Sequence, residues 1–186
     1  RDVHGCIYHV LRREAEGMIL PGLPAFLDGK YQPRDNDERL ALLGVCQFAN
    51  RTRAMARLYA AAFATAPALA DDLVAGHRYN AARVAAQASC GRGADATGIT
   101  EDERARWREQ ARQWLRADLA ARARVLDAGS TETRGAARMA LTRMRNEPDL
   151  ACVREPGELD KLPPDERKDY VALWGELDAI LDRTKK

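Results

Sequence analysis

Between Met55 and Pro67 the apolar positions Met55, Leu58, Tyr59, Ala62 and Phe63 return every three or four residues and then stop at a proline. Such spacing predicts a helix with one apolar face, because 3.6 residues complete a turn and the stripe stays on one side. The same signature recurs along the chain. Tyr8 to Ile19 reads as a helix ending before Pro21, followed by a short turn over Pro24 to Leu27 and a polar connector, Gly29 and Gln32 to Asp37. Asp35 or Asn36 suits the cap of a helix carrying Leu40, Leu43, Gly44 and Phe48, and the short Asn50-Arg51-Thr52 break predicts that this helix and the next lie antiparallel. Pro67 to Val74 reads as a short helix stopped by Gly76, and His77 to Ser89 as a helix with Tyr79, Ala82, Ala85 and Ala86 on its contact face.

A turn-rich loop, Cys90 to Gly98, separates that helix from the longest one. Thr100 and Glu103 match a capping box, in which hydroxyl and carboxylate each satisfy an amide at the helix start. Trp107, Ala111, Trp114, Leu115 and Leu119 then recur on one face, with Arg104, Arg108, Arg112, Arg116 and Arg122 at other angles. Asp127 to Ser130 reads as a turn, and a helix with Ala137, Met139, Leu141 and Met144 runs to Asn146. Pro148, Pro156, Pro163 and Pro164 punctuate short turns before a last helix bearing Tyr170, Leu173, Trp174, Leu177, Ile180 and Leu181. Its Lys185-Lys186 end suits the helix dipole. Strand-like alternation is absent, so an all-α chain is expected.

At 186 residues the chain is long enough for one continuous core. Formal charge is +2, with acids and bases nearly balanced along the chain, which argues against a nucleic-acid reader and for a solvated, salt-bridged surface. Cys6, Cys46, Cys90 and Cys152 form no C-x-x-C pair, and cysteines so spread read as reduced core residues in a cytoplasmic protein. The longest apolar stretch, Tyr59 to Ala70, is broken by Pro67 and falls short of the ~20 residues a bilayer requires, so no membrane span is expected. Arg1 in place of Met suggests a piece of a longer polypeptide.

Tyr59, Ala62 and Pro67 are spaced like the aromatic, small residue and closing proline of the second helix of a tetratricopeptide repeat (TPR), and Leu42 stands where the first helix of that repeat carries its leucine. The chain departs from the pattern at Leu43, Cys46 and Met55, which replace a glycine, a tyrosine and a small residue. The phrases Arg57 to Phe63, Gly76 to Ala82, Trp114 to Leu119 and Pro148 to Arg154 follow one another in an order that resembles the C-terminal TPR region of large bacterial serine/threonine protein kinases and their kinase-free relatives. The resemblance covers the chain from about Leu11 onward. It implies a TPR-like array of antiparallel helix pairs, an α-solenoid, divided into a remnant of a preceding repeat over 1–30, the best-matching repeat over 35–67, a second pair with a long loop over 77–126, and C-terminal helices with a capping helix over 130–186. Kinase activity is not implied, because the Gly-rich loop, strand lysine, H-R-D loop and D-F-G site are missing.

Isolated residues carry little chemistry. His4, Cys6 and His9 match no zinc spacing. Cys90 as a nucleophile requires a base such as His77 within hydrogen-bond reach. Gly91, Gly93 and Gly98 follow a helix, where a phosphate loop follows a strand, and read as a flexible connector. The Asp71-Asp72 and Glu101-Asp102-Glu103 carboxylates read as surface and helix-start charge before they read as acid/base pairs. The arginines of the long helix read as a solvated face, and Trp107, Trp114 and Trp174 as core. Glu-x-x-His, the signature of helical di-metal sites, does not occur.

The chain therefore reads as a non-catalytic protein–protein interaction scaffold that needs no cofactor and engages a peptide or protein partner on its concave face. TPR-like arrays bind through the first helix of each pair, which singles out Gln47, Asn50, Asn80 and Arg83. A regulatory or targeting tail docking on other domains of its own parent chain is the alternative; a helical-bundle enzyme and a nucleic-acid binder fit less well.

Overall fold

The computed structural model describes residues 25–26 and 30–184. The helix expected over 8–19, most of the 1–30 segment, the Lys185-Lys186 end and the His4, Cys6, His9 group lie outside them. The described residues are helical without strands: α1 (Asn36–Phe48), α2 (Thr52–Thr65), α3 (Ala68–Asp71), α4 (His77–Ser89), α5 (Glu101–Ala128), α6 (Thr131–Asn146), a 3-10 helix (Pro148–Val153), α7 (Pro156–Leu159) and α8 (Pro164–Arg183). None is long and apolar enough to cross a membrane.

Each start has a local cause. Asp35 caps α1 by accepting the Glu38 amide at 2.9 Å, and Glu38 in turn accepts the Arg34 amide at 2.8 Å. The α1–α2 turn puts Asn50 at φ 51, a left-handed geometry that asparagine tolerates. Thr100 accepts the Glu103 amide at 3.3 Å, but the Glu103 carboxylate does not reach back; it takes Arg53 from α2 at 2.6 and 2.8 Å. Half of the expected capping box is thus replaced by a bridge between helices.

Packing proceeds largely between neighbours in sequence: α1 on α2, α2 on α4, α4 on α5, α5 on α6, with α8 laid across α5 and α6. One apolar core runs through them, from Leu42 and Cys46 through Tyr59, Ala82, Leu115 and Leu141 to Leu177. The small face of α4, with Ala81, Ala82, Ala85, Ala86 and Ala88 all 0 % exposed, lets α2 and α5 approach it from two sides. Phe63 of α2 meets Trp114 of α5 edge-on at 5.6 Å. On α8, Tyr170 donates to the Arg108 carbonyl at 2.6 Å and Trp174 to the Val153 carbonyl at 2.7 Å, so both large rings bury their apolar bodies while their polar atoms stay paired.

Several register details differ from the periodic reading. Phe48 is 70 % and Met139 70 % exposed, whereas Leu42 and Cys46 turn inward. Arg108 and Arg122, read as solvated, are buried in ion pairs: Arg108 with Glu166 of α8 at 2.6 Å and Arg122 with Asp118 at 2.6 Å. Cys90 and Cys152 are not reduced core residues. They form a disulfide, Cα to Cα 6.4 Å, that joins the end of α4 to the 3-10 helix. Spacing along the chain says nothing about proximity, and 62 residues separate the two. Because disulfides persist chiefly in oxidising compartments, the cysteines no longer support a cytoplasmic setting.

Candidate functional site

The connector after α3 builds one wall of a groove. The Asp72 carboxylate accepts the amides of Val74 and Ala75, both at 2.9 Å, and Gly76 turns the chain into α4 with φ 65. These amides, Ala75 first, hold the Asp72 carboxyl below its ordinary range, although burial works the other way. The tight turn projects Val74 outward, 100 % exposed. Arg122, near the end of α5, donates to the Leu73 carbonyl at 3.5 Å and ties the connector to the helix layer.

Opposite that wall stands the outer face of α6. Between them lies a groove of about 540 Å³, floored by Tyr79 and Ala137 and walled by Val74, Met139, Ala140 and Arg143. Tyr79 is buried and its hydroxyl donates to Glu147 at 2.9 Å; burial, then that bond to a carboxylate, pushes the phenol well up. Glu147 and Asp149 also pair with Arg83, which lies over the Tyr79 ring at 5.9 Å. Arg143 is exposed, and among the described residues it has no acidic partner. A second hollow, formed by Gly135, Arg138 and Thr142, shares Met139 with the first.

Of the four residues singled out as partner-binding, Asn80 lines this groove and accepts a long hydrogen bond from Arg83 at 3.4 Å. Arg83 is half-buried and committed to Glu147 and Asp149. Asn50 serves its turn, and its carbonyl accepts the Ala94 amide at 2.7 Å. Gln47 is exposed on α1. Groove residues outside that set of four include Val74, Met139 and Arg143. A helical wheel held the signal for one of them. At ~100° per residue, Met139 stands about 200° from Leu141, on the side opposite the buried face.

The catalytic candidates are dispersed. His77 and Cys90 sit at opposite ends of α4, ~20 Å apart along the axis at 1.5 Å per residue, and Cys90 is in the disulfide. Asp71 pairs with Arg78 while Asp72 faces its turn. Glu101 goes to Arg108 and Glu103 to Arg53, so the acidic start of α5 diverges. The arginine stripe is absorbed into the protein: Arg104 donates to the Ser89 carbonyl at 3.2 Å, Arg112 pairs with Glu109 and Asp169, and Arg116 approaches Asp169 at 3.9 Å. Trp114 and Trp174 are buried in the core, and Trp107 is partly buried against it and donates to Glu103 at 3.3 Å. Among the described residues no three His, Cys, Asp or Glu converge in a way that could hold a metal ion.

The glycine loop is docked on α2, in contrast to the flexible connector read from its composition. Arg51 supplies no side-chain cap to α2, and Asp95 takes that role from the loop, accepting the amides of Arg53 at 3.1 Å and Ala54 at 2.9 Å. Thr52 donates to the Arg92 carbonyl, and Gly93, at φ 129, lies so close to Thr52 that a Cβ would collide with it. The loop is pinned across the start of α2. No family model matches the chain, and no curated protein or solved structure shows significant similarity to it.

Proposed function

We propose that the chain is a non-catalytic interaction scaffold, a TPR-like array whose partner docks where α4, the first helix of one pair, and α6, the first helix of the next, flank a common groove. One observation carries the reading: Val74 and Met139, large apolar side chains held out in water, line the same groove. Uncovered apolar surface gathered into a patch marks a binding face more often than scattered exposure does. The stacking of helices on their sequence neighbours, with α8 lying across α5 and α6, supports the array architecture and the capping role of the last helix. Apart from Arg143, and from Asp72 on its turn amides, the titratable groups nearby are consumed in pairs that brace helices, which favours binding over chemistry.

The test is affinity capture from lysate of the source cells with the native chain and with Met139→Asp as parallel baits, each verified as helical by circular dichroism. A defined protein retained by the native chain and lost from the variant supports the reading, whether that protein is separate or another domain of the parent polypeptide. Identical retention by both baits contradicts it.

A further inference from the structure

We infer that the groove between the Leu73–Gly76 connector and α6 takes an acidic amphipathic segment of a protein partner, its apolar side chains seated against Val74 and Met139 and its carboxylates meeting Arg143 and Arg138. The inference rests on the scaffold reading and adds the chemistry of the occupant.

Four large apolar residues stand exposed among the described ones, and two of them, Val74 and Met139, share this groove. A space of about 540 Å³, continued past Met139 by the hollow at Gly135 and Thr142, suits a row of anchoring side chains and is too small for a folded domain. Gly135, Ala136 and Ala140 keep the α6 surface low, so a partner backbone can come close, and methionine adapts to whatever anchor arrives.

Charge selects the occupant. Outside the chain's overall balance, α6 carries Arg134, Arg138, Arg143 and Arg145 against Glu132 alone. Arg145 is paired with Asp178 at 2.6 Å, whereas among the described residues Arg134, Arg138 and Arg143 have no acidic partner. Arg122, inside the groove, is neutralised by Asp118. Asp72, just before the connector, is turned onto the Val74 and Ala75 amides. Arg143 in the groove wall and Arg138 in the adjoining hollow, the latter also bordering a further hollow with Asp178 and Asp182, attract carboxylates and repel lysine-rich segments. Nucleic acid fits poorly, because its affinity comes from many phosphate contacts, and of the two arginines that line the groove Arg122 is already paired with Asp118.

A display library of random 16-residue peptides, panned on the full 186-residue chain, tests the inference. The selected pool should be enriched in Asp and Glu over Lys and Arg, with apolar residues at three- and four-residue spacing. Synthetic copies of the dominant peptide should bind about tenfold more weakly to Arg143→Glu and to Met139→Asp, unchanged to Val171→Asp, and several-fold more weakly when salt is raised from about 50 to 300 mM. Peptides without acidic bias, or acidic peptides indifferent to both groove variants, overturn the inference and leave the scaffold reading standing. A library that yields no binder at all overturns both.

Discussion

Asp118 and Arg122, one turn apart on α5, form an ion pair inside the protein: Arg122 Nε lies 2.6 Å from Asp118 Oδ2, and the two residues are 0 % and 7 % exposed. The pair anchors the groove wall, since the same guanidinium reaches the Leu73 carbonyl. Removing one partner strands a buried charge, a loss of about 3–5 kcal/mol, whereas replacing both by apolar residues restores most of it. Urea denaturation should therefore show Asp118→Ala strongly destabilised and Asp118→Leu with Arg122→Met close to the native chain. Equal destabilisation of single and double variants would refute this account of the pair.

The loop that crosses the start of α2 should behave as a structural strut. Asp95→Ala removes the cap of α2 and should cost about 1–2 kcal/mol. Gly93→Ala combines a left-handed φ with a collision against Thr52, and should destabilise at least as much. Hydrogen exchange is the sharper readout: both variants should open the Arg53 and Ala54 amides without raising exchange in α8. Unchanged protection at those amides would mean that the loop is not docked.

Much of this architecture is legible in the sequence because it is written locally. Asp35, Thr100 and Ser130 mark helix starts by their side-chain oxygens, Pro67 closes α2, and the Pro163-Pro164 pair opens α8 at its observed first residue. What escapes is set by distant partners. Arginine on a long helix looks solvated until Glu166 from α8 covers Arg108, and nothing near Asp95 announces that it caps a helix more than 40 residues upstream. Nor does local periodicity separate Leu42 from Phe48 on a helix as short as α1. Of the site, Asn80 is legible from the helix-pair logic, whereas Val74 depends on the tight turn that Asp72 builds.

Oxidation state gives an independent check. The Cys90–Cys152 bond closes a loop that contains α5 and α6, and constraining so long a loop restricts the unfolded chain by about 4 kcal/mol in the chain-entropy account. Cys90→Ser with Cys152→Ser should lower the denaturation midpoint without loss of helical signal, and reductant should narrow the difference. Peptide mapping of the unreduced protein should recover the two cysteines as one linked species. Cys46, whose thiol burial pushes up to about 12, should resist alkylation until the chain unfolds.

Acid should weaken the α2–α5 bridge. Burial of Glu103 opposes its ionisation, but Arg53, then Trp107, outweigh it and hold the carboxyl below its ordinary value of 4.5; Glu109 is lowered likewise by Arg112 and Gln113. A carboxyl depressed in the folded state contributes fully above the unfolded value and loses that contribution as pH falls through the folded one. Stability should thus change little between about pH 7 and 5 and decline below about 4.5, with a shallower decline in Glu103→Gln. A decline that is equally steep in both proteins would remove Glu103 from the explanation.

The proposed partner sits on the face of α6 opposite the Val74 turn. A photo-crosslinking amino acid placed at position 139, with an equivalent probe at exposed position 171 as control, tests it in source cells expressing the protein. A discrete covalent adduct with one protein at 139 and none at 171 is the predicted result; no adduct at 139, or the same adducts at both positions, would contradict it.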